Sequence, residues 1–157
     1  MAIDRVREYF KDLGIEERIL EFDSSSATVA LAAVALGCEE ARIAKTLSFK
    51  VSNGCVLIVA AGDARIDNSK FKAYFGTKAK MPSGDEVEEL CGHAIGGVCP
   101  FAVKDGVKIY LDKSLTRFMT VFPACGSSNS AIELTIDELQ EYSNCIEIID
   151  VCKDWEY

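Results

Sequence analysis

Lys45 is the residue of this chain best placed to do chemistry. It stands where a helix-like segment, Glu39 to Ile43, turns into the alternating run Ala44-Lys45-Thr46-Leu47-Ser48-Phe49-Lys50-Val51. Strand ends and their adjoining loops are common seats of ligand groups. An ammonium offers three donors and a point charge, which suits a phosphate oxygen or an ester carbonyl. A lysine that only keeps an edge strand soluble would have the same pattern.

Two loops could join it. Gly92-His93-Ala94-Ile95-Gly96-Gly97-Val98-Cys99-Pro100-Phe101 is glycine-rich and follows a helical segment ending near Cys91. Glycine lets backbone approach a ligand and aim N–H or C=O groups at it. No Gly-Lys-Ser/Thr follows and the spacing is not G-x-G-x-x-G, so neither a P-loop nor a dinucleotide fingerprint is present. The second loop, Ala124-Cys125-Gly126-Ser127-Ser128-Asn129, is small and polar. It reads either as a substrate-facing loop, with Gly126 and Ser127 at its centre, or as a plain turn.

Nucleophilic catalysis finds little support. His93 is the only histidine, so a Cys–His pair would need it together with Cys91, Cys99 or Cys125. No third group is evident to orient it and no G-x-S-x-G elbow exists. His93 reads as a structural donor rather than a base. Seven cysteines, an odd number with no C-x-x-C pair, make neither a disulfide framework nor a zinc site, and they read as reduced core residues. No metal or other cofactor is expected.

These candidates must be held by 157 residues that are 49% hydrophobic and 27% charged, a composition that supports one domain spanning 1–157. The N-terminus lacks a signal-peptide pattern and no apolar run is long enough to span a membrane, so a cytoplasmic protein is expected. The net charge of −8 excludes a bulk nucleic-acid coat, and no DNA or membrane partner is expected. From Lys45 to Lys80, however, seven basic residues face two acids, a local net of +5 that leaves −13 for the rest. That segment suits a ligand carrying a few phosphates, such as an RNA end, although solvated lysines explain it too.

The spacing predicts helices over 3–13, 29–36, 67–75 and 83–91 and a last helix beginning near Thr135. Ser or Thr caps the second, Gly37 ends it, and Ser83 with Glu86 forms a capping box. Strands are predicted over 18–22, 44–51, 55–61, 107–112, 120–123, 131–135 and 146–149. A hairpin turn is predicted at Ser52-Asn53-Gly54. Helices and strands mix without βαβ alternation, so the fold class is α+β.

In series, several stretches resemble the YbaK/prolyl-tRNA-synthetase-associated domain family of trans-editing deacylases. They are Ala27-Thr28-Val29 with Leu36-Gly37, Ile43-Ala44-Lys45-Thr46-Leu47-Ser48-Phe49, Ala61-Gly62-Asp63-Ala64-Arg65-Ile66-Asp67 and Gly96-Gly97-Val98-Cys99-Pro100-Phe101, followed by Ile109-Tyr110-Leu111-Asp112 and Ala124-Cys125-Gly126. The resemblance runs over roughly residues 24–140. It implies a central mixed, barrel-like β-sheet flanked by helices, with a pocket for the 3′-terminal adenosine and its amino acid. It also implies aminoacyl-tRNA hydrolase activity, chiefly on tRNA(Pro) carrying a small non-cognate residue, and transient association with a synthetase. By similarity Lys45 and the G-x-x-x-P loop, Gly96, Gly97, Val98, Cys99 and Pro100, are the catalytic set. Thr28, Asp63, Arg65, Lys70, Gly126 and Ser127 are placed at the substrate, and Thr46 and His93 at positions that vary among subgroups. Two other readings remain open: a non-catalytic binder of the aminoacyl-tRNA end or a nucleotide, and a cysteine-dependent hydrolase using Cys99 or Cys125.

Overall fold

The computed structural model describes residues 2–52 and 54–157. Its elements in chain order are α1 (Ala2–Asp12), β1 (Leu20–Glu21), α2 (Val29–Leu36), β2 (Ile43–Val51), β3 (Gly54–Ala61), β4 (Arg65–Ile66), α3 (Asn68–Phe75), α4 (Gly84–Cys91), β5 (Lys108–Asp112), β6 (Thr120–Pro123), β7 (Ser130–Ala131), β8 (Leu134–Thr135), α5 (Ile136–Ser143), β9 (Ile148–Ile149) and β10 (Cys152–Lys153). Short 3-10 turns occupy Glu16–Arg18, Glu40–Arg42 and Lys113–Arg117. The fold is α+β. A curled, mixed six-stranded sheet runs β8-β6-β2-β3-β5-β9, and two-stranded pairs β1–β7 and β4–β10 stand beside it.

The hairpin of β2 and β3 is the centre of that sheet, paired in register from Ala44↔Ala61 to Val51↔Gly54. Every residue of β3 from Cys55 to Ala61 is buried, as expected for a strand covered on both faces. β2 pairs parallel with β6 and β3 parallel with β5. The helices close the faces. Val6 and Phe10, four apart on α1, are fully buried, and Phe10 meets Phe101 edge-on with centroids 4.8 Å apart. Phe71 of α3 meets Phe49 of β2 at 4.9 Å.

Local signals explain most boundaries. Thr28 Oγ1 accepts from Leu31 N and Gly37 takes the left-handed conformation that ends α2. Asp67 caps α3, and Ser83 with Glu86 forms the capping box of α4. The expected turn at Ser52-Asn53-Gly54 includes Asn53, which lies outside the described residues.

Three expectations are corrected. The strand expected over 18–22 contracts to β1, because Arg18 sits in a 3-10 turn and sends its guanidinium to Glu138 and to Glu133 O. The single strand expected over 131–135 splits. Ser130–Ala131 pairs with β1 and Leu134–Thr135 pairs with β6, while Ile132 between them is fully buried. The strand expected over 146–149 reduces to β9, although Ile146 N still donates to Ile109 O (2.7 Å).

Of the cysteines, Cys55, Cys91, Cys99, Cys125 and Cys152 are buried and Cys38 and Cys145 half-buried, all as free thiols. No helix among the described residues is long and apolar enough to cross a membrane.

Helix α5 begins with a second capping box, Thr135 with Glu138, and Glu138 is also held by Arg18 at 2.7 and 3.1 Å. Arg18 first, then the cap, pull the Glu138 carboxyl down to about 2. A carboxylate depressed in the fold stabilises it above its ordinary range and loses that contribution as the pH falls toward the folded value. Glu138→Gln should therefore flatten the loss of urea stability between pH 5 and 2.5, by about 0.5–1 kcal/mol for a partly exposed pair. A pH profile parallel to wild type would contradict this.

Candidate active site

A cavity of about 260 Å³ opens between α2, the start of α4 and the sheet. Its residues come from the 26–29 turn and Ala32 of α2, from Ile43 to Ser48 of β2, from Met81 to Gly84 and Val87, from Ile95, Gly96 and Val98, and from Phe122, Ala124, Ser130 and Ala131. The lining is mainly apolar, with a few polar groups converging on it, the usual build of a small-ligand site. One of these is unusual. Thr46 Oγ1 is buried with no hydrogen-bond partner. A buried hydroxyl without a partner is costly, and a ligand polar atom would satisfy it.

Lys45 lies on the β2 wall, half-buried, opposite Ala60 of β3. The hairpin returns the chain past the start of β2, so the turn after β3 lies within reach of this side chain. Lys45 Nζ donates to Ala64 O and, at 3.4 Å, to Gly62 O. Burial pushes the Lys45 pKa down, while Asp63 and Cys152 oppose that shift. The ammonium is thus partly desolvated and held by neutral carbonyls, which strengthens its interaction with any oxyanion or phosphate brought near. Gly62 is required here by close approach, since a Cβ would stand 2.0 Å from Glu40 O.

The glycine loop supplies another part of the lining, and only part of it faces the cavity. Gly96 and Val98 line it, whereas Cys99 and Pro100 are buried behind. Gly97 N donates to Ala94 O (3.0 Å), leaving the amides of Gly96 and Val98 without a backbone acceptor among the described residues. Such amides can face a developing negative charge. The loop is braced from behind by the 124–129 segment, because a Cβ on Gly97 would stand 2.9 Å from Ser127 N and Cα. Ser128 O accepts from Ser26 N (2.6 Å) as well. One polar loop therefore holds two cavity walls at once.

His93 is fully buried, away from the cavity. Its Nε2 donates to Phe101 O (2.6 Å), so the proton sits there and Nδ1 is left without a partner. Burial pushes its pKa down, favouring the neutral ring. It ties the two ends of the glycine loop together. The thiols make poor nucleophiles: burial pushes Cys99 up to about 12 and Cys125 well above the ordinary value.

Of the residues singled out in the sequence, the cavity brings together Thr28, Lys45, Thr46, Gly96 and Val98. Thr28 also spends its hydroxyl on the α2 cap. Gly97, Gly126 and Ser127 stand behind the wall, and Cys99, Pro100 and His93 are buried beyond it. Asp63 is engaged by Arg117 at 2.5 and 2.9 Å. Arg65 pairs in β4 with Lys153, and Lys70 binds Asp150 and Cys152 O at 3.0 and 3.1 Å, all away from the cavity. Lys50 pairs with Glu86. Arg65, Lys72, Lys78 and Lys80 have no ion-pair partner among the described residues. Sequence reasoning missed Met81, Pro82 and Ile95 at the mouth and Ser48 and Ser130 in the wall. Pro82 just before the Ser83 cap was the one available signal that the chain turns there.

A family model for the aminoacyl-tRNA editing domain matches residues 23–142, a range that holds every cavity-lining residue. The chain belongs to the aminoacyl-tRNA editing domain family. Over 157 residues, 99% of this chain and 100% of the relative, it is 55% identical to the uncharacterized protein YwhH of Bacillus subtilis (strain 168). Over 112 residues, 71% of this chain, it is 33% identical to a proline–tRNA ligase of Thermosipho melanesiensis, of which the match spans 20%. A crystal structure described provisionally as a trans-editing enzyme for prolyl tRNA synthetase superposes with a TM-score of 0.87 at 29% identity, covering 97% of each chain.

For an editing domain, the close contact behind the glycine loop has a direct consequence. Gly97→Ala must push the loop off Ser127 or into the cavity, and it should cost about 1–3 kcal/mol of stability as an overpacked site. Chemical denaturation would measure it, and an unchanged midpoint would show that the loop is not held against Ser127.

Proposed function

We propose that the protein is a trans-editing aminoacyl-tRNA deacylase, which hydrolyses the ester joining a small non-cognate amino acid to the 3′ end of a tRNA, with tRNA(Pro) as the acceptor. The observation that carries this reading is that one cavity is lined by Lys45 together with Gly96 and Val98, whose amides have no backbone acceptor among the described residues. Family membership supplies the substrate class, and the proline–tRNA ligase match supports the acceptor.

The chemistry asked of such a site is modest. An aminoacyl ester is already activated, so a positioned water and stabilisation of the oxyanion suffice. Lys45 anchors the ester carbonyl or the terminal phosphate, and the amides of the 96–100 loop orient ester and water. A ribose hydroxyl or the substrate's own side chain assists. The thiols and His93 take no part, which sets the cysteine-dependent reading aside. The whole chain, 1–157, acts as one editing domain in the cytoplasm and meets a synthetase only transiently.

The need for a second site follows from binding energetics. One missing methylene is worth only about 1–3 kcal/mol in a synthetase pocket, too little for faithful charging. The mainly apolar cavity, with one unpartnered hydroxyl in its wall, suits a small, largely apolar side chain.

The test is a panel of tRNA(Pro) carrying alanine, cysteine, serine, threonine or proline. Deacylation of at least one small non-cognate ester well above that of Pro-tRNA(Pro) is expected. Lys45→Ala, folded as judged by circular dichroism, should lose about 100-fold in kcat/KM, the scale of removing one oxyanion donor. Saturable binding without turnover would establish the non-catalytic binder instead, and a wild-type rate in Lys45→Ala would remove the lysine from the mechanism. Binding of the tRNA should also weaken with salt, at a log–log slope of about −0.7 per phosphate contacted on a single strand.

A further inference from the structure

The turn that holds Lys45 is itself held from outside the cavity. Arg117 ends the 3-10 turn Lys113–Arg117, and its side chain is only 9% exposed. Its guanidinium grips Asp63 with a two-point fork, Nη2 to Oδ1 at 2.5 Å and Nη1 to Oδ2 at 2.9 Å. Its Nε donates to Ser114 O (2.9 Å) and its Nη1 to Glu156 O (3.1 Å). The rings of Phe118 and Trp155 lie 4.9 and 5.1 Å from its Cζ. Hydrogen bonds and flanking rings together leave the guanidinium little freedom.

Asp63 sits between the two residues whose carbonyls receive Lys45, Gly62 and Ala64. Arg117 thus holds the side chain of the residue whose flanking peptides carry those oxygens. The same 3-10 turn touches the neighbouring strand end, where Ser114 Oγ accepts from Ala61 N (3.1 Å) and Ser114 N donates to the buried Asp112 (2.9 Å). On the other side, Gly62 is in close contact with Glu40 O. The turn is clamped on both flanks, yet neither Arg117 nor Asp63 lines the cavity.

We propose that Arg117 is a positioning residue for the Lys45 ammonium, acting through Asp63 and the Gly62–Ala64 turn, and that Asp63 serves this link rather than the substrate. The proposal rests on the assignment of Lys45 to the deacylation site. Arg117 is enclosed and fixed on a turn whose carbonyls hold the one cavity lysine, so its fork sets the geometry around that lysine as well as contributing to stability.

Two effects predict the direction of the change when the link is cut. Loosening the turn lets water reach the ammonium, and removing the guanidinium leaves Asp63 uncompensated beside it. Both favour the charged lysine, so its depressed pKa moves back up.

The experiment follows the Lys45 resonance in protein labelled at lysine Cε, titrated in the absence of tRNA, alongside kcat and KM on the preferred mischarged tRNA. In Arg117→Gln the Lys45 titration is expected to rise toward the ordinary lysine value of about 10.4. kcat is expected to fall by roughly tenfold with KM changed far less, the pattern of an interaction made in the transition state. Asp63→Asn should reproduce the fall in kcat, while its Lys45 titration should rise less than in Arg117→Gln, because the same substitution removes a carboxylate that favours the ammonium. Arg117→Gln combined with Asp63→Asn should lose no more kcat than either alone, as for residues acting as one unit. Arg117→Lys, which keeps the charge and loses the fork, should recover part of kcat. An unmoved Lys45 titration and unchanged kcat, with only the melting temperature lowered, would overturn the proposal. Should Arg117→Gln not fold, Arg117→Lys decides it by the same two readouts and Asp63→Asn by kcat against KM. If wild type deacylates no tRNA, the functional reading fails. The tRNA-free titration still decides the link: a rise sustains it and an unmoved resonance ends it.

Discussion

The site depends on the register of one hairpin. Pairing Ala44 with Ala61 places the end of β3, and the turn that follows it, beside the first residues of β2. Lys45 can then reach Gly62 and Ala64, and Thr46 can take its place in the cavity wall. A slip of one residue would exchange the faces of β2 and remove both at once, because side chains alternate along a strand. The fully buried run of β3 fixes that register, since any other pairing would expose part of it or bury a charge. Stability of the sheet centre and geometry of the site are the same constraint.

Much of this was legible in the residues. The hairpin, both ends of α2 and the capping box of α4 were set by short-range signals, alternation, Thr28 with Gly37, and Ser83 with Glu86, each needing only nearby residues. Lys45, Gly96 and Val98 could be picked out as candidates because strand ends and glycine loops are read locally, and one cavity is lined by all three. What stayed hidden depends on partners far along the chain. Arg42 and Thr120 hold Glu133, and Ile132 turns inward beside it, so an apparently continuous strand breaks into β7 and β8. The basic segment looked uniform, yet Lys50 and Lys70 are paired within the fold. Asp63 looked available to substrate, and only its bond to Arg117, 54 residues away, shows that it is engaged.

Burial also makes the thiols and the one histidine poor candidates for chemistry. Burial holds the thiols protonated and the imidazole neutral, so these groups serve packing and loop closure. His93 fixes the glycine loop from the core side, while Ser127 and Ser128 fix it from the other. The part of the loop that lines the cavity is thereby held on both sides by the fold itself.

The enclosure of Arg117 has one more consequence, of a mechanical kind. Two of its contacts, Glu156 O and the Trp155 ring, belong to the last residues of this sequence, beyond the 23–142 range that the family shares. The carboxyl-terminal segment is therefore a lever on the lysine turn. It is joined to that turn twice, through the Arg117 guanidinium and through β10, which pairs with β4 directly after Ala64. A tag joined to that end would adjoin the residues that brace this turn, whereas one joined to a distant surface loop would not.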